Sequence, residues 1–163
     1  MAVGSMTDNP FTHDPTDSRN IPGDAPGSFE QAKEAVERDD ADGMGVVVTR
    51  HDPLLVVEIG NVTLGENLPK SVRTLVSALG MTFIEATDNN NLRCFYMGDL
   101  PAELQGGDPV IVTLGSEDGV NVIRLFDSGW TPVTGKHIAE TPEDAKEVDS
   151  DALEKFLQSA GKI

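Results

Sequence analysis

The stretch LPKSVRTLVSALGMTFIEATDNNNLRCFYM, residues 68–97, decides the fold, because a helical pattern of apolar residues runs directly into two strand patterns. Four apolar residues follow the spacing i, i+3, i+4 and i+7 and therefore share one helical face: Val72, Leu75, Val76 and Leu79. Asn67 and Pro69 favour a helix start here, with Asn67 as the capping side chain, and Gly80 favours a helix end. The sequence thus predicts an amphipathic helix that ends just before residue 81.

Beyond Gly80 the apolar period changes from that of a helix to that of a strand. Residues 81–87 and 92–97 are predicted strands, and the four polar residues between them, Asp-Asn-Asn-Asn, are typical of a turn. A helix that covers one face of such an antiparallel pair forms the smallest two-layer core.

The regions on either side supply four more strands. Residues 45–50 and 54–59 are rich in β-branched side chains, and residues 109–114 and 120–126 have the pattern of a hairpin. The order is β-β-α-β-β-β-β, followed by a C-terminal helix over residues 151–160. We therefore predict an α+β fold with a mainly antiparallel sheet of about six strands and with one main helix on one face.

Composition divides the chain into three segments. Residues 1–43 are acidic and rich in proline, which predicts a disordered tail with a short helix over residues 29–38. Residues 44–133 are the predicted folded α+β domain. Residues 134–163 are predicted to be an acidic linker that leads into the amphipathic helix 151–160.

The chain of 163 residues has a formal net charge of −16, from 28 acidic and 12 basic residues. None of the three segments is basic, so direct binding to nucleic acid or to an anionic membrane is not expected. A protein partner with a basic surface fits this charge, and a homo-oligomer remains open. No apolar run is long enough to cross a bilayer, and a single cysteine fits a reducing compartment, so we expect a cytoplasmic protein. Residues 1–5 have the composition of a cloning remnant, so the natural chain is expected to begin at Met6.

Two partial motifs fail at the positions that carry the chemistry. Gly60 and Gly65 have the spacing of a phosphate-binding loop, but Glu66 and Asn67 stand where a lysine and a hydroxyl residue are required. A calcium-like motif at residues 40–43 lacks ligands at both ends. The sequence therefore predicts no cofactor and no metal at these places.

Isolated titratable residues have structural explanations. Three histidines are scattered without the spacing of metal ligands: His13, His51 and His137. Cys94 lies within a predicted strand and is expected to be a small core residue. Two carboxylate pairs, Glu85 with Asp88 and Glu103 with Asp108, suit acid–base chemistry only inside a cleft. We predict no catalytic, cofactor-binding or metal-binding residue.

The candidates for partner binding are large apolar side chains near the C-terminus. Leu153, Phe156 and Leu157 share one face of the predicted helix, and Trp130 is the sole tryptophan. The helix either folds back on the open face of its own sheet, which we favour for the free protein, or enters a groove on another chain. For Trp130 we favour a lid at the end of the sheet over an exposed anchor.

These patterns predict a non-enzymatic protein-interaction or structural accessory protein that acts through its α+β domain and its C-terminal helix. In its general composition, a compact valine-rich domain with acidic tails, the chain is similar to small accessory proteins of tailed bacteriophages and of their high-GC hosts. That resemblance implies a virion-associated location as an alternative to the cytoplasm. Two other functions remain open: an acidic nucleic-acid mimic that inhibits a DNA- or RNA-binding protein, and a small carboxylate-dependent enzyme. A mimic requires its carboxylates on one ordered face, and more than half of the net charge lies outside residues 44–133.

Overall fold

The computed structural model describes residues 2–6, 33–34, 37–38, 43–49, 51–65, 67–87, 89–117 and 119–163. The chain divides into two compact units: a first unit of Met1–Asp52 with Ser128–Thr134, and a second unit of Pro53–Asp127 with Gly135–Ile163. Within the predicted helix 29–38, the described residues Lys33, Glu34 and Glu37 have helical backbone. Most of the predicted disordered tail lies outside the described residues.

The first unit contains a three-stranded antiparallel sheet in the order β1-β2-β8, formed by Ala2–Met6, Gly43–Val48 and Gly129–Val133. In this sheet Val47 lies opposite Trp130. Trp130 therefore belongs to a regular strand, which the sequence pattern did not indicate. The residues that resembled a cloning remnant form most of β1, which pairs with β2.

The second unit is built on a six-stranded sheet. Its strands are β3 (Leu54–Gly60), β4 (Phe83–Ala86), β5 (Leu92–Met97), β6 (Val110–Ser116), β7 (Gly119–Phe126) and the short β9 (Lys146–Glu147). The order is β4-β5-β3-β7-β6, all antiparallel, and β9 adds to β5 in the parallel sense. With its two helices, α1 (Lys70–Leu79) and α2 (Ser150–Ser159), this arrangement confirms the α+β prediction. The first two predicted strands, however, enter different sheets as β2 and β3.

One hydrophobic core holds the second unit together. Both helices contribute to it, together with alternate residues of the strands, for example Val57, Cys94 and Leu125, which lie side by side across β3, β5 and β7. The four predicted core residues of α1 are all buried. Strand residues alternate between the two faces of a sheet, so this one pattern fixes which face meets the helices.

The start of α1 differs from the expectation. Pro69 occupies the capping position, no side chain caps the helix there, and Asn67 is exposed. Instead, the carboxylate of Glu140, which is distant in sequence, binds this end of the helix. It accepts one hydrogen bond from the Leu68 N–H over 2.6 Å and another from the Arg73 guanidinium over 3.1 Å. A carboxylate is favourable there because the free N–H groups of the first turn carry partial positive charge.

The C-terminal helix packs against its own unit. Leu153 and Leu157 are buried in the same core as α1, and the Asp149 N–H donates to the Leu79 carbonyl over 2.8 Å. This agrees with the favoured intramolecular arrangement but corrects its location, because α2 joins α1 on the core face and not on the opposite face of the sheet. The physical reason is that β9 ends close to the C-terminal end of α1, so the helix that follows β9 begins beside α1.

Candidate functional site

One edge of the six-stranded sheet is covered by the chain's own C-terminal segment, residues 135–149. The Ala86 N–H donates to the Lys136 carbonyl, and the Ile138 N–H donates to the Ile84 carbonyl, both over 2.9 Å. The segment thereby occupies the outer side of β4. Unpaired strand edges favour unwanted pairing with other chains, and natural proteins commonly cover them in this way.

Thr82 joins the two parts of this cover, because it lies just before β4 begins and beside the first residue of β9. Its buried hydroxyl donates to the Phe95 carbonyl over 2.6 Å and accepts the Lys146 N–H over 2.8 Å. Farther along, the Val148 N–H donates to the Met97 carbonyl over 2.9 Å. These bonds extend the cover along β5.

His137 holds the same segment in place. Its ring stacks on Phe83 with the ring centroids 4.9 Å apart. Its Nε2 lies 3.1 Å from the Thr141 carbonyl oxygen and 3.0 Å from the Pro142 carbonyl oxygen. Sequence reasoning gave this histidine no role, because the residues around it come together only in the tertiary structure.

The opposite edge of the sheet is formed by β6, and no described strand pairs with its outer side. Within the described residues its only strand neighbour is β7. Ile111, Thr113 and Gly115 are exposed, whereas Val110 and Val112 are buried. The strand sequence VIVTLGS contains neither a charge nor a proline, the residues that commonly protect an edge from pairing.

The hydrogen-bonding groups at this edge follow from the register. Ser116 lies opposite Gly119, so β6 and β7 form a hairpin with a two-residue loop, whose closing pair bonds to each other. In an antiparallel ladder such residues alternate with residues whose N–H and C=O face away from the neighbouring strand. Counting back from Ser116, the backbone groups of Ile111, Thr113 and Gly115 face the open edge.

A surface groove of about 360 Å³ lies beside this edge. Its lining combines the first half of β6 with the residues that follow α2: Ile111, Val112, Thr113, Ala160 and Lys162. The wall after α2 is set by Gly161, whose φ of 67° turns the chain so that the Lys162 N–H donates to the Leu157 carbonyl over 2.9 Å. The C-terminal helix therefore shapes the groove through the turn that ends it.

Charge is distributed unevenly along the open edge. Asp108 precedes β6 and Glu117 follows it, and both side chains are exposed. Between them the strand is uncharged, and Lys162 is the one charged residue that lines the groove. The open edge thus has an apolar centre and an acidic residue at each end.

A buried charged cluster lies elsewhere in the sheet. Arg93 Nη1 donates to Glu85 Oε1 over 3.0 Å, and Arg93 Nε lies 3.6 Å from Glu58 Oε2. The second oxygen of Glu85 accepts the Gly135 N–H over 3.1 Å. Both oxygens of Glu85 therefore have donors, so this carboxylate neutralises Arg93 and fastens the start of the covering segment. Its predicted pair, Asp88, lies outside the described residues.

The thiol of Cys94 is a core group, as predicted. It is fully buried, and burial raises its pKa to about 12, so the thiol is protonated and weakly nucleophilic at neutral pH. The pKa of Tyr96 is also raised. Burial is the larger cause, and the neighbouring Cys94 is the smaller one. The Tyr96 hydroxyl is buried and has no hydrogen-bond partner among the described residues.

The four predicted partner-binding residues are placed in two different units. Leu153 and Leu157 are buried in the core of the second unit, and Phe156 is partly buried against that core. Trp130 is buried in the first unit, where its indole occupies the space that a Cβ at Gly45 would need. A partner reaches Leu153, Leu157 and Trp130 only if a unit opens, whereas Phe156 is partly accessible. The role of all four in partner binding stays a prediction.

Two further findings concern metals and membranes. Of the calcium-like motif, residues 40–42 lie outside the described residues. In the part of the chain that the structure describes, no three His, Cys, Asp or Glu side chains are grouped so as to hold a metal ion. Across the same ranges, no helix combines the length and the apolar character that a membrane crossing requires.

No protein-family model matches the chain, and no curated protein matches it. The functional proposal rests on the geometry of the open edge at β6. Sequence reasoning found both strands of its hairpin but missed the site, because the strand order of a sheet is a tertiary property. The uncharged run 110–116 did not distinguish this strand, because uncharged runs of at least this length occur at residues 74–84 and 128–135.

Proposed function

We propose that this chain is a non-enzymatic accessory protein that binds an extended segment of another protein along β6. The observation that carries the proposal is the difference between the two edges of one sheet. The C-terminal segment covers one edge through two groups of backbone bonds joined by the Thr82 hydroxyl, while the other edge presents an uncharged strand beside a groove.

Strand addition is a common mode of peptide recognition, in which backbone hydrogen bonds give affinity and side-chain contacts give specificity. Ile111, Thr113 and Gly115 offer three N–H groups and three carbonyls, each worth about 0.5–1.5 kcal/mol when paired. The 42% exposed side chain of Ile111 adds apolar area that a partner can cover.

The C-terminal helix takes part in this proposal as a wall of the groove. Ala160 and Lys162 reach the groove only because Leu153 and Leu157 hold α2 in the core. The acidic-mimic and carboxylate-enzyme hypotheses stay predictions, and no feature of the described residues favours either over strand addition. A cytoplasmic location stays part of the proposal, since the single cysteine is free and buried.

The test is selection of random linear peptides of about ten residues, displayed on phage, against the immobilised protein. Thr113→Pro removes an outward N–H without removing a bond to β7, a position at which edge strands tolerate proline. We expect the selected peptides to lose binding to this variant. Peptides that bind wild type and variant equally would overturn the proposal.

A second pair of variants guards against misfolding of the proline variant. Ile111→Lys and Val120→Lys place the same charge on two exposed side chains, 42% and 53% exposed, on β6 and on the inner strand β7. We expect Ile111→Lys to weaken peptide binding and Val120→Lys to leave it unchanged. Equal effects of the two would also contradict binding at the edge.

A further inference from the structure

We infer that the segment recognised at β6 is an extended peptide with an apolar, alternating centre and basic residues at both ends. This inference rests on the proposed function and adds the chemistry of the partner. It follows from the charges around the open edge, which are arranged differently at its centre and at its ends.

The centre of the edge selects against charge on the partner. Ile111, Thr113 and Gly115 carry no charge, and the groove beside them is lined by Val112 and Ala160. A charged residue of the partner at the centre loses water without gaining an opposite charge, except for an acid near Lys162 or near Arg124, which lies opposite Ile111 on β7. Basic residues are disfavoured there for the same reason and by repulsion from Lys162.

The ends of the edge select for positive charge. Asp108 and Glu117 are exposed and bracket the strand, so an antiparallel or a parallel partner segment meets one carboxylate at each end. Residues 108–117 correspond to a partner segment of about ten residues. The net charge of −16 on the whole chain attracts a basic partner from a distance and raises its association rate.

A second copy of this chain fits the edge less well. Antiparallel self-pairing centred on Thr113 would place Ile111 opposite Gly115 of the other copy, which is sterically acceptable. It would also bring Asp108 of each copy beside Glu117 of the other, and like charges in such positions are destabilising. Two such contacts, between chains that each carry −16, oppose self-association.

The test uses three synthetic peptides with one shared centre, Val-Thr-Val-Thr-Val, and with Lys-Arg, Ser-Ser or Glu-Glu at both ends. Binding is measured by fluorescence anisotropy, and its location by amide shifts along β6. We expect the basic-ended peptide to bind about fivefold more tightly than the serine-ended one, and the acidic-ended peptide to bind most weakly. Salt should reduce the difference, because these pairs are exposed.

The matched variants are Asp108→Asn with Glu117→Gln, which should reduce the preference for basic ends to the part due to the net charge of the chain, and leave the serine-ended peptide unaffected. If all three peptides bind equally at β6, this inference is wrong while strand addition stands. If none of them shifts the β6 amides, the proposed function fails as well. Sedimentation that shows a dimer abolished by Thr113→Pro would identify a second copy as the occupant and overturn the inference.

Discussion

The backbone N–H of Lys146 donates to the side-chain hydroxyl of Thr82 over 2.8 Å, and this bond ties the C-terminal segment to the sheet. Because the same buried hydroxyl donates to the Phe95 carbonyl, Thr82→Val keeps the shape of the side chain but leaves two backbone groups without their partner. We expect a loss of about 1–3 kcal/mol in the free energy of unfolding, measured by urea denaturation. Amide exchange at Lys146 should also become faster.

Thr63 provides the control for this substitution, because its side chain is exposed. Thr63→Val should change the free energy of unfolding by no more than about 0.5 kcal/mol. Equal midpoints for the two variants would mean that the Thr82 bonds contribute nothing measurable to the attachment of β9.

The packing of α2 is tested by Leu157→Ala. Leu157 is fully buried in the core shared with α1, so the substitution should cost about 2–5 kcal/mol through lost burial and a residual cavity. Lys155→Ala, on the exposed side of the same helix, should be nearly silent. A denaturation midpoint that does not move for Leu157→Ala would show that α2 detaches from the unit in solution.

The buried charged cluster should respond more strongly than an exposed ion pair. Arg93→Met leaves Glu85 and Glu58 without their shared cation in a buried setting, so we expect a loss of about 3–5 kcal/mol in calorimetric stability. Arg73→Met breaks the exposed pair with Glu140 and should cost about 1 kcal/mol or less. Similar losses for the two arginines would contradict the structural role of the cluster.

The Cys94 thiol should be unreactive in the native protein. Its raised pKa of about 12 leaves almost no thiolate at pH 8, and burial excludes the reagent. We expect negligible reaction with a thiol-specific chromogenic disulfide until denaturant is added, and then stoichiometric release. Rapid release from the native protein would show that β5 opens readily.

The turn before β3 should weaken in acid. Asp52 Oδ2 accepts hydrogen bonds from the Thr49 hydroxyl over 2.8 Å and from the Thr49 N–H over 3.1 Å. These bonds hold the pKa of Asp52 below its ordinary value of 3.8, and the hydroxyl bond has the larger effect. A lowered pKa in the folded state stabilises the turn above the ordinary value, and this contribution is lost as the pH falls through the folded pKa.

A carboxyl-detected NMR titration measures this shift directly. In the Thr49→Val variant the hydroxyl donor is gone while the backbone N–H remains, so the pKa of Asp52 should rise towards its ordinary value. An unchanged titration curve in the variant would mean that the hydroxyl bond is absent in solution.

The sequence by itself determined the two helices and the five longer strands of the second unit, but not β9, which lies in residues predicted to be a linker. The helical spacing of Val72 to Leu79, the alternation in β4 and β5 and the Asn-rich turn between them are local signals, because helix and strand periodicity depend on neighbouring residues. The turn geometry follows the same rule, as Asn90 adopts a φ of 57° that asparagine tolerates well. The buried positions of α1 and the core location of Cys94 were therefore predictable.

Only the tertiary structure decided which strands lie at the edges and what covers them. β2 and β3 follow each other in the sequence but enter different sheets, and Glu140 serves the start of α1 from 72 residues away. Pairing between distant segments depends on chain closure and on the packing of whole faces, neither of which leaves a local pattern. For that reason the covered edge at β4 and the open edge at β6 became visible only in the folded chain.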